Sequence, residues 1–269
     1  MFEKSFHFGL DLAASYTFGH SKSVYDGTSS VAYSNWKYSY AVDSNNPGLA
    51  YSMFDIPHRV MVSVGYRTPR YAKGFMATTV SLVYNGYVGQ RYSLTMNESY
   101  YDAEKKKTVY IDYNGDGWGG NSLLYIPTED ELQKMDFKTE EDRRKFDEWI
   151  EGDSYAKKHR GAYAMRNSNS APWENRVDLH VAQDIFVLKD RGSKFQVTFD
   201  VTNFANMLNK KWGTTYTAAY NVMPLQVIGS KKGEDGNYTN TYAYNSRNTI
   251  TKNDVLSRWH AQIGIKYIF

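Results

Sequence analysis

Residues 259–269 read WHAQIGIKYIF. Trp259, Ala261, Ile263, Ile265, Tyr267 and Phe269 are apolar or aromatic and share one face of an extended chain. His260, Gln262, Gly264 and Lys266, with Arg258 just before, share the other, because side chains alternate along a strand with a period of two. The stretch is therefore a strand with one greasy and one wet side. Whether the greasy side meets a protein core or lipid decides the fold.

The same alternation recurs. Phe6, Phe8, Leu10, Leu12, Ala14, Tyr16 and Phe18 lie together in SFHFGLDLAASYTFG, and Val60, Val62, Val64 and Tyr66 in HRVMVSVGYR. Val80, Leu82 and Tyr84, then Val177, Leu179, Val181 and Ile185, then Phe195, Val197, Phe199 and Val201 repeat the pattern. These runs predict about six amphipathic strands, near residues 5–19, 58–67, 75–91, 175–187, 194–206 and 255–269, each of a length that crosses a bilayer when tilted. Long connections (20–57, 92–174, 207–254) alternate strictly with short ones. A transmembrane meander does this, with long extracellular loops and short periplasmic turns. On that reading the chain starts and ends at the periplasmic side. Tyr and Phe gather at the strand ends as two girdles.

Composition fits. The 269 residues include 24 Tyr and no Cys, and the net charge is +3. That charge is too small to argue for nucleic acid, and the missing Cys excludes disulfides and thiolate metal sites. Mean hydropathy is −0.63, as expected for a wall that is half apolar with wholly polar loops. The opposite faces carry Asp11, Arg59, Asp178, Asp184, Asp200, Arg258 and Lys266, charges that suit a wet lumen and not lipid. No run of about 18 apolar residues is present, so a transmembrane helix is not expected, and MFEKSFHFG lacks the apolar core of a signal peptide. Membrane barrels start at about 8 strands, and an open sheet in lipid would leave bare edges. The remaining strands are therefore expected to precede Met1.

FDIPHRV, DYNGDG with SLLYIP, RGAYAMRNSNSAPWENRVDLHVAQDI, FDVTNFANMLNKKWG and the terminal Phe269 together resemble the C-terminal barrel segment of TonB-dependent outer-membrane receptors, in the Oar-like and SusC-like branch. The resemblance runs over nearly the whole chain. It implies an all-β, up-and-down transmembrane barrel of 22 strands with a plugged lumen, in the outer membrane, importing a large nutrient such as a glycan, peptide or metal chelate. The plug and TonB box would lie in a missing N-terminal part, and TonB would act through them. Phe269 resembles the signal read by the outer-membrane assembly machinery, besides serving as a girdle residue. SusC-like relatives also work with a surface lipoprotein. A passive pore or adhesin, and a soluble carbohydrate-binding β-sandwich, are the alternatives.

Several candidate sites follow. Asp112, Asn114 and Asp116 alternate in DYNGDG, a spacing of oxygen ligands able to wrap Ca²⁺. Leu123 stands where an EF-hand would need Glu, and an Asx/Gly-rich turn is the favoured reading. GDGWGG matches a dinucleotide fingerprint, but NSLLYIP follows it where a helix would have to start. Thr128 and Glu131 make a capping box after Pro127. Thr139 opens a second helix whose Phe146, Trp149 and Ile150 share a face, either as a lid or packed on neighbouring loops. Trp36, Trp118 and Trp212, with Tyr38, Tyr40, Tyr216 and Tyr220, offer rings for sugar or siderophore stacking, or glue the loops together. The six histidines show no metal spacing, and cross-strand Asp partners are expected for some. No catalytic constellation is apparent, so an enzyme is not expected.

Overall fold

The computed structural model describes residues 1–187, 193–217, 221–246 and 250–269. In chain order its main elements are β1 (Phe2–Ser5), β2 (Leu10–Phe18), β3 (His58–Arg67), β4 (Met76–Tyr87), β5 (Arg91–Asn97), α1 (Glu129–Lys134), β6 (Asp136–Phe137), α2 (Glu140–Gly152), β7 (Asn169–Ser170), β8 (Glu174–Phe186), β9 (Lys194–Thr202), β10 (Asn221–Lys232), β11 (Tyr238–Tyr244) and β12 (His260–Ile268). They form two regions, a wall and a cap.

The wall is a seven-stranded antiparallel sheet in the order β1-β2-β3-β4-β8-β9-β12, a meander that does not close on itself. Its register aligns the apolar residues into continuous rows. Leu12 faces Val64, which faces Leu82, then Leu179, Val201 and Ala261. The neighbouring row is Leu10, Tyr66, Val80, Val181, Phe199 and Ile263. Between them, on the opposite face, run Asp11, Gly65, Ser81, His180, Asp200 and Gln262. Register is fixed because a one-residue slip would exchange the two faces. Leu10, Val62 and Val181 are half-buried by in-sheet neighbours, and Ile263 is 71% exposed. None of the four is buried, and of the two rows only Val201, at the loop end of β9, is covered (1% exposed), so no second layer of described residues spans the belt and the β-sandwich alternative fails. At the turn-side end of the wall Phe195 and Tyr267 sit 4.9 Å apart and Tyr267 and Phe269 6.0 Å apart. At the other end Phe18 lies 5.0 Å from His58.

One prediction is corrected here. The run 5–19 is not one strand. The amide of Phe6 donates to the Leu10 carbonyl and that of Gly9 to the Phe6 carbonyl, closing a tight turn. Gly9 stands at φ +95°, and a Cβ there would come within 2.2 Å of the Arg67 carbonyl oxygen. Only glycine fits. The chain upstream forms β1, antiparallel to β2 with Phe2 opposite Ala14. Among the described residues the wall thus has seven strands, and Phe2 sits partway up it, not at its turn-side rim. Alternation hid the break because it continues in phase through the turn.

The three long connections leave the same end of the wall and build the cap together. The second and third supply its sheet, which runs β6-β11-β10-β5-β7, with β10 parallel to β5 and β6 parallel to β11. α2 covers it. Its N-cap Thr139 accepts from the Asp142 amide, and Phe146 and Ile150 are fully buried. The Thr128–Glu131 capping box on α1 forms as expected. Leu94, Leu124, Ile126, Leu132, Val222 and Leu225 complete a core with them. The main buried hydrophobic cluster lies in the cap and not in the wall.

Candidate functional site

The polar centre of the cap assembles where β5 starts beneath the first long connection. Arg91 stacks on the Tyr51 ring at 4.2 Å and donates to Asp55 Oδ2 from Nε (3.0 Å) and Nη2 (2.7 Å). Asp55 also accepts from the Ser21 amide at 2.6 Å and meets His20 Nδ1 at 3.3 Å. Burial raises the Asp55 pKa, but these hydrogen bonds outweigh it and hold the carboxyl below its ordinary value. Nearby, Asn167 donates to the Tyr51 carbonyl (2.8 Å) and to Asp26 Oδ2 (3.1 Å), and its own amide donates to Ser93 Oγ (2.9 Å). These contacts hold Asn167 at φ +56°, a left-handed conformation Asn tolerates better than most residues. A cavity of about 390 Å³ opens here, with Asp26, Tyr38, Tyr40, Arg91 and Arg166 in its lining. A second, more apolar cavity of about 340 Å³ lies against the cap core, between Met96, Tyr113, Tyr125, Tyr163 and Tyr242.

Of the three tryptophans, two lie close to one residue. Lys37 Nζ stands 3.3 Å from the centre of the Trp118 ring, with Tyr38 edge-on to that ring at 6.3 Å. Trp36 precedes Lys37 in the chain and stacks on Tyr33. One face of Trp118 is therefore already taken by the protein's own cation. Trp212 shares none of these contacts. It sits in the connection after β9, 56% exposed, with its amide bonded to the Asn209 carbonyl. Tyr216 lies in the same connection, and Tyr220 falls outside the described residues.

The DYNGDG carboxylates are turned onto protein donors. Asp112 accepts the Gly117 amide at 2.7 Å and the Asp116 amide at 3.2 Å. Asp116 accepts Ser44 Oγ at 2.6 Å, Asn121 Nδ2 at 2.7 Å and the Trp118 amide at 2.7 Å, while Asn114 donates to Asn121 Oδ1 at 2.9 Å. Burial raises Asp116, and these bonds bring it below its ordinary value. The arrangement is that of an Asx-type loop clamp. Among the described residues no three His, Asp or Glu side chains cluster as metal ligands. The residues after GDGWGG form short extended segments and no helix.

The wet face of the wall is organised as well. Asp184, 1% exposed, accepts Arg67 Nη2 at 2.6 Å and both Lys194 Nζ and Gln196 Nε2 at 2.7 Å. His180 Nδ1 and Asp200 Oδ1 lie 2.5 Å apart across β8 and β9, a cross-strand partnership of the kind expected. Phe269 is 96% exposed at the end of β12.

Sequence reasoning missed Asp26, Asp55, Arg91, Arg166 and Asn167. The signal was present in part. Asp55 lies in FDIPHRV, and Arg166 and Asn167 in RGAYAMRNSNSAPW, segments marked only for their resemblance.

A meander with an uncovered apolar belt, a charged opposite face and long connections at one end defines a β-barrel membrane wall. The chain belongs to the outer membrane beta barrel domain family, whose model matches residues 1–248, and its place is the outer membrane. No curated protein and no solved structure gave a match.

Proposed function

We propose that this chain is the barrel-and-cap part of a TonB-dependent receptor that imports a large nutrient, a glycan, peptide or metal chelate, across the outer membrane. The observation that carries the reading is the cap. Its second and third connections share one sheet with a buried core, the first packs beside them, and two cavities open there, a pre-organised surface of the kind that lowers the entropic cost of holding a ligand. The resemblance of FDIPHRV, RGAYAMRNSNSAPW and FDVTNFANML to such receptors supports it. On this reading TonB acts through an N-terminal plug, the assembly machinery reads Phe269, a surface lipoprotein closes the cap, and the chain itself catalyses nothing.

The test is uptake by cells with and without the gene, offered labelled oligosaccharides, peptides and metal chelates, with the proton gradient intact or collapsed. Loss of energised uptake of one of these classes in the deletion is the expected result. Uptake that persists after the gradient collapses would make the protein a passive pore. A deletion that loses only surface attachment would make it an adhesin.

A further inference from the structure

The two arginines of the larger cavity are compensated unequally. Arg91 is held by Asp55 at 2.7 Å and reaches the Ser168 carbonyl. Arg166, whose side chain is 5% exposed, comes no closer than 3.6 Å to Asp26, beyond hydrogen-bond range. Its Nη1 donates to Ser39 Oγ at 3.3 Å and its Nη2 to the Ser23 carbonyl. A guanidinium carries five N–H donors, and these two bonds engage one from each terminal nitrogen of Arg166. Asp26 is committed elsewhere, accepting Ser23 Oγ, the Met53 amide and Asn167 Nδ2. Burial pulls the Arg166 guanidinium below its ordinary value. A buried cation held to its carboxylate only through a loose 3.6 Å ion pair, beside an open cavity, has room for a second, better-placed anion.

We propose that this cavity is a binding subsite for a compact organic carboxylate, gripped by the Arg166 guanidinium with Tyr38 and Tyr40 lining the space for the rest of the molecule. The proposal rests on the reading that the cap recognises a ligand. A planar carboxylate matches the guanidinium fork. A dianionic phosphate fits worse, because Asp26 and Asp55 lie close to the two arginines and would repel the second charge. The volume of about 390 Å³ sits at the small end of the range for small-molecule sites. The acid can come from a sugar or from a peptide, and the test separates the two.

Full-length protein in detergent micelles is titrated calorimetrically with D-glucuronate and with N-acetyl-L-glutamate, beside glucose and N-acetyl-L-glutamine as neutral counterparts. At least one acid is expected to saturate, with its neutral counterpart about tenfold weaker or more. Arg166→Lys keeps the charge but removes the fork, and lowers affinity by a similar factor. Thr28→Trp, at an exposed lining position that leaves Arg166 in place, also abolishes binding by filling the cavity. Hydrogen exchange at Leu94 and Phe146 verifies that each variant keeps its cap, and Thr28→Trp decides if Arg166→Lys does not. Binding of glucuronate alone assigns a sugar acid, and of N-acetylglutamate alone a peptide-type acid. No binding of either acid, equal binding of the neutral partners, or full binding by Thr28→Trp overturns the proposal. The titration contains no TonB, so its failure leaves energised import standing, and failed import leaves this site standing.

Discussion

The wall and the cap use the same residue types in opposite ways. Ile263 and Ile265 of the wall are 71% and 74% exposed, whereas Leu94, Phe146 and Ile150 of the cap are fully buried. In the cap, apolar side chains find one another and expel water. In the wall they line up in rows and leave the other half of their contacts to hydrocarbon. Polar groups invert in parallel. The wall gathers its charges on one face, around Asp184 and along the His180–Asp200 row, with Lys4 opposite Leu12 on the edge strand as an exception, while the cap buries Asp55 and Arg91 as a neutralised pair. What counts as inside differs between two regions of one chain, because their solvents differ.

Four experiments would break or sharpen that contrast. The largest effect is expected from Phe146→Ala. It should cost the cap about 3–5 kcal/mol and speed proteolysis and hydrogen exchange in the three long connections, while the heat-modifiable barrel band on gels stays unchanged. If the band is lost together with the cap, the two regions are not separable. Next comes Leu82→Arg, which puts a charge at the centre of the belt. Urea unfolding in vesicles should show a loss of about 2–4 kcal/mol. Ser81→Arg, one residue along on the wet face, should lose far less. Equal losses would mean that the belt does not face lipid.

A smaller effect follows from pH. The Asp55 carboxyl is held below its ordinary value of 3.8 in the folded cap. Its contribution to stability is therefore complete above that value and fades as the pH falls through the lower folded one. Acid should therefore loosen the cap around Asp55. Asp55→Asn should remove that portion of the acid sensitivity, seen as a flatter pH profile of exchange in residues 91–97. Glu98 opposes it in sign. Burial raises its pKa despite hydrogen bonds from Gly120 and Ser122, so its protonation stabilises the cap as pH drops. The double variant Asp55→Asn with Glu98→Gln should therefore be the flattest. Last, Trp212→Ala should change stability by no more than about 0.5 kcal/mol, as expected for an exposed side chain. A large loss of ligand uptake in that variant would restore Trp212 as a contact residue.

The wall was legible because period two is a local signal that lipid on one side and water on the other enforce residue by residue. The Gly9 turn escaped because the greasy phase passes through it unbroken. The cap was legible only at its helix starts, where Thr128 with Glu131 and Thr139 announce themselves locally. β5 shows why the rest was silent. In RYSLTMN, Tyr92, Leu94 and Met96 enter the hydrophobic cluster while Arg91, Ser93 and Thr95 are buried too. With both faces covered the run reads neither as a half-wet strand nor as a greasy one. Its partner β10 comes from a different connection, and nothing nearby in sequence specifies the pairing. The polar centre was missed for the same reason: Asp55, Arg91 and Arg166 come from separate stretches that meet only through the fold.

The parallel pairing of β5 with β10 also sets a timetable. Residues 93–97 line up with residues 221–226, so the middle of the cap waits for a segment that emerges after β9. Until then Leu94 and Met96 lack the neighbours that cover them, at a stage when most of the wall is already synthesised. A chain stalled before its final hairpins would present sticky, unmatched strands to whatever surrounds it. Biogenesis should accordingly lean on holding factors more heavily for this protein than for a barrel of equal size with short loops.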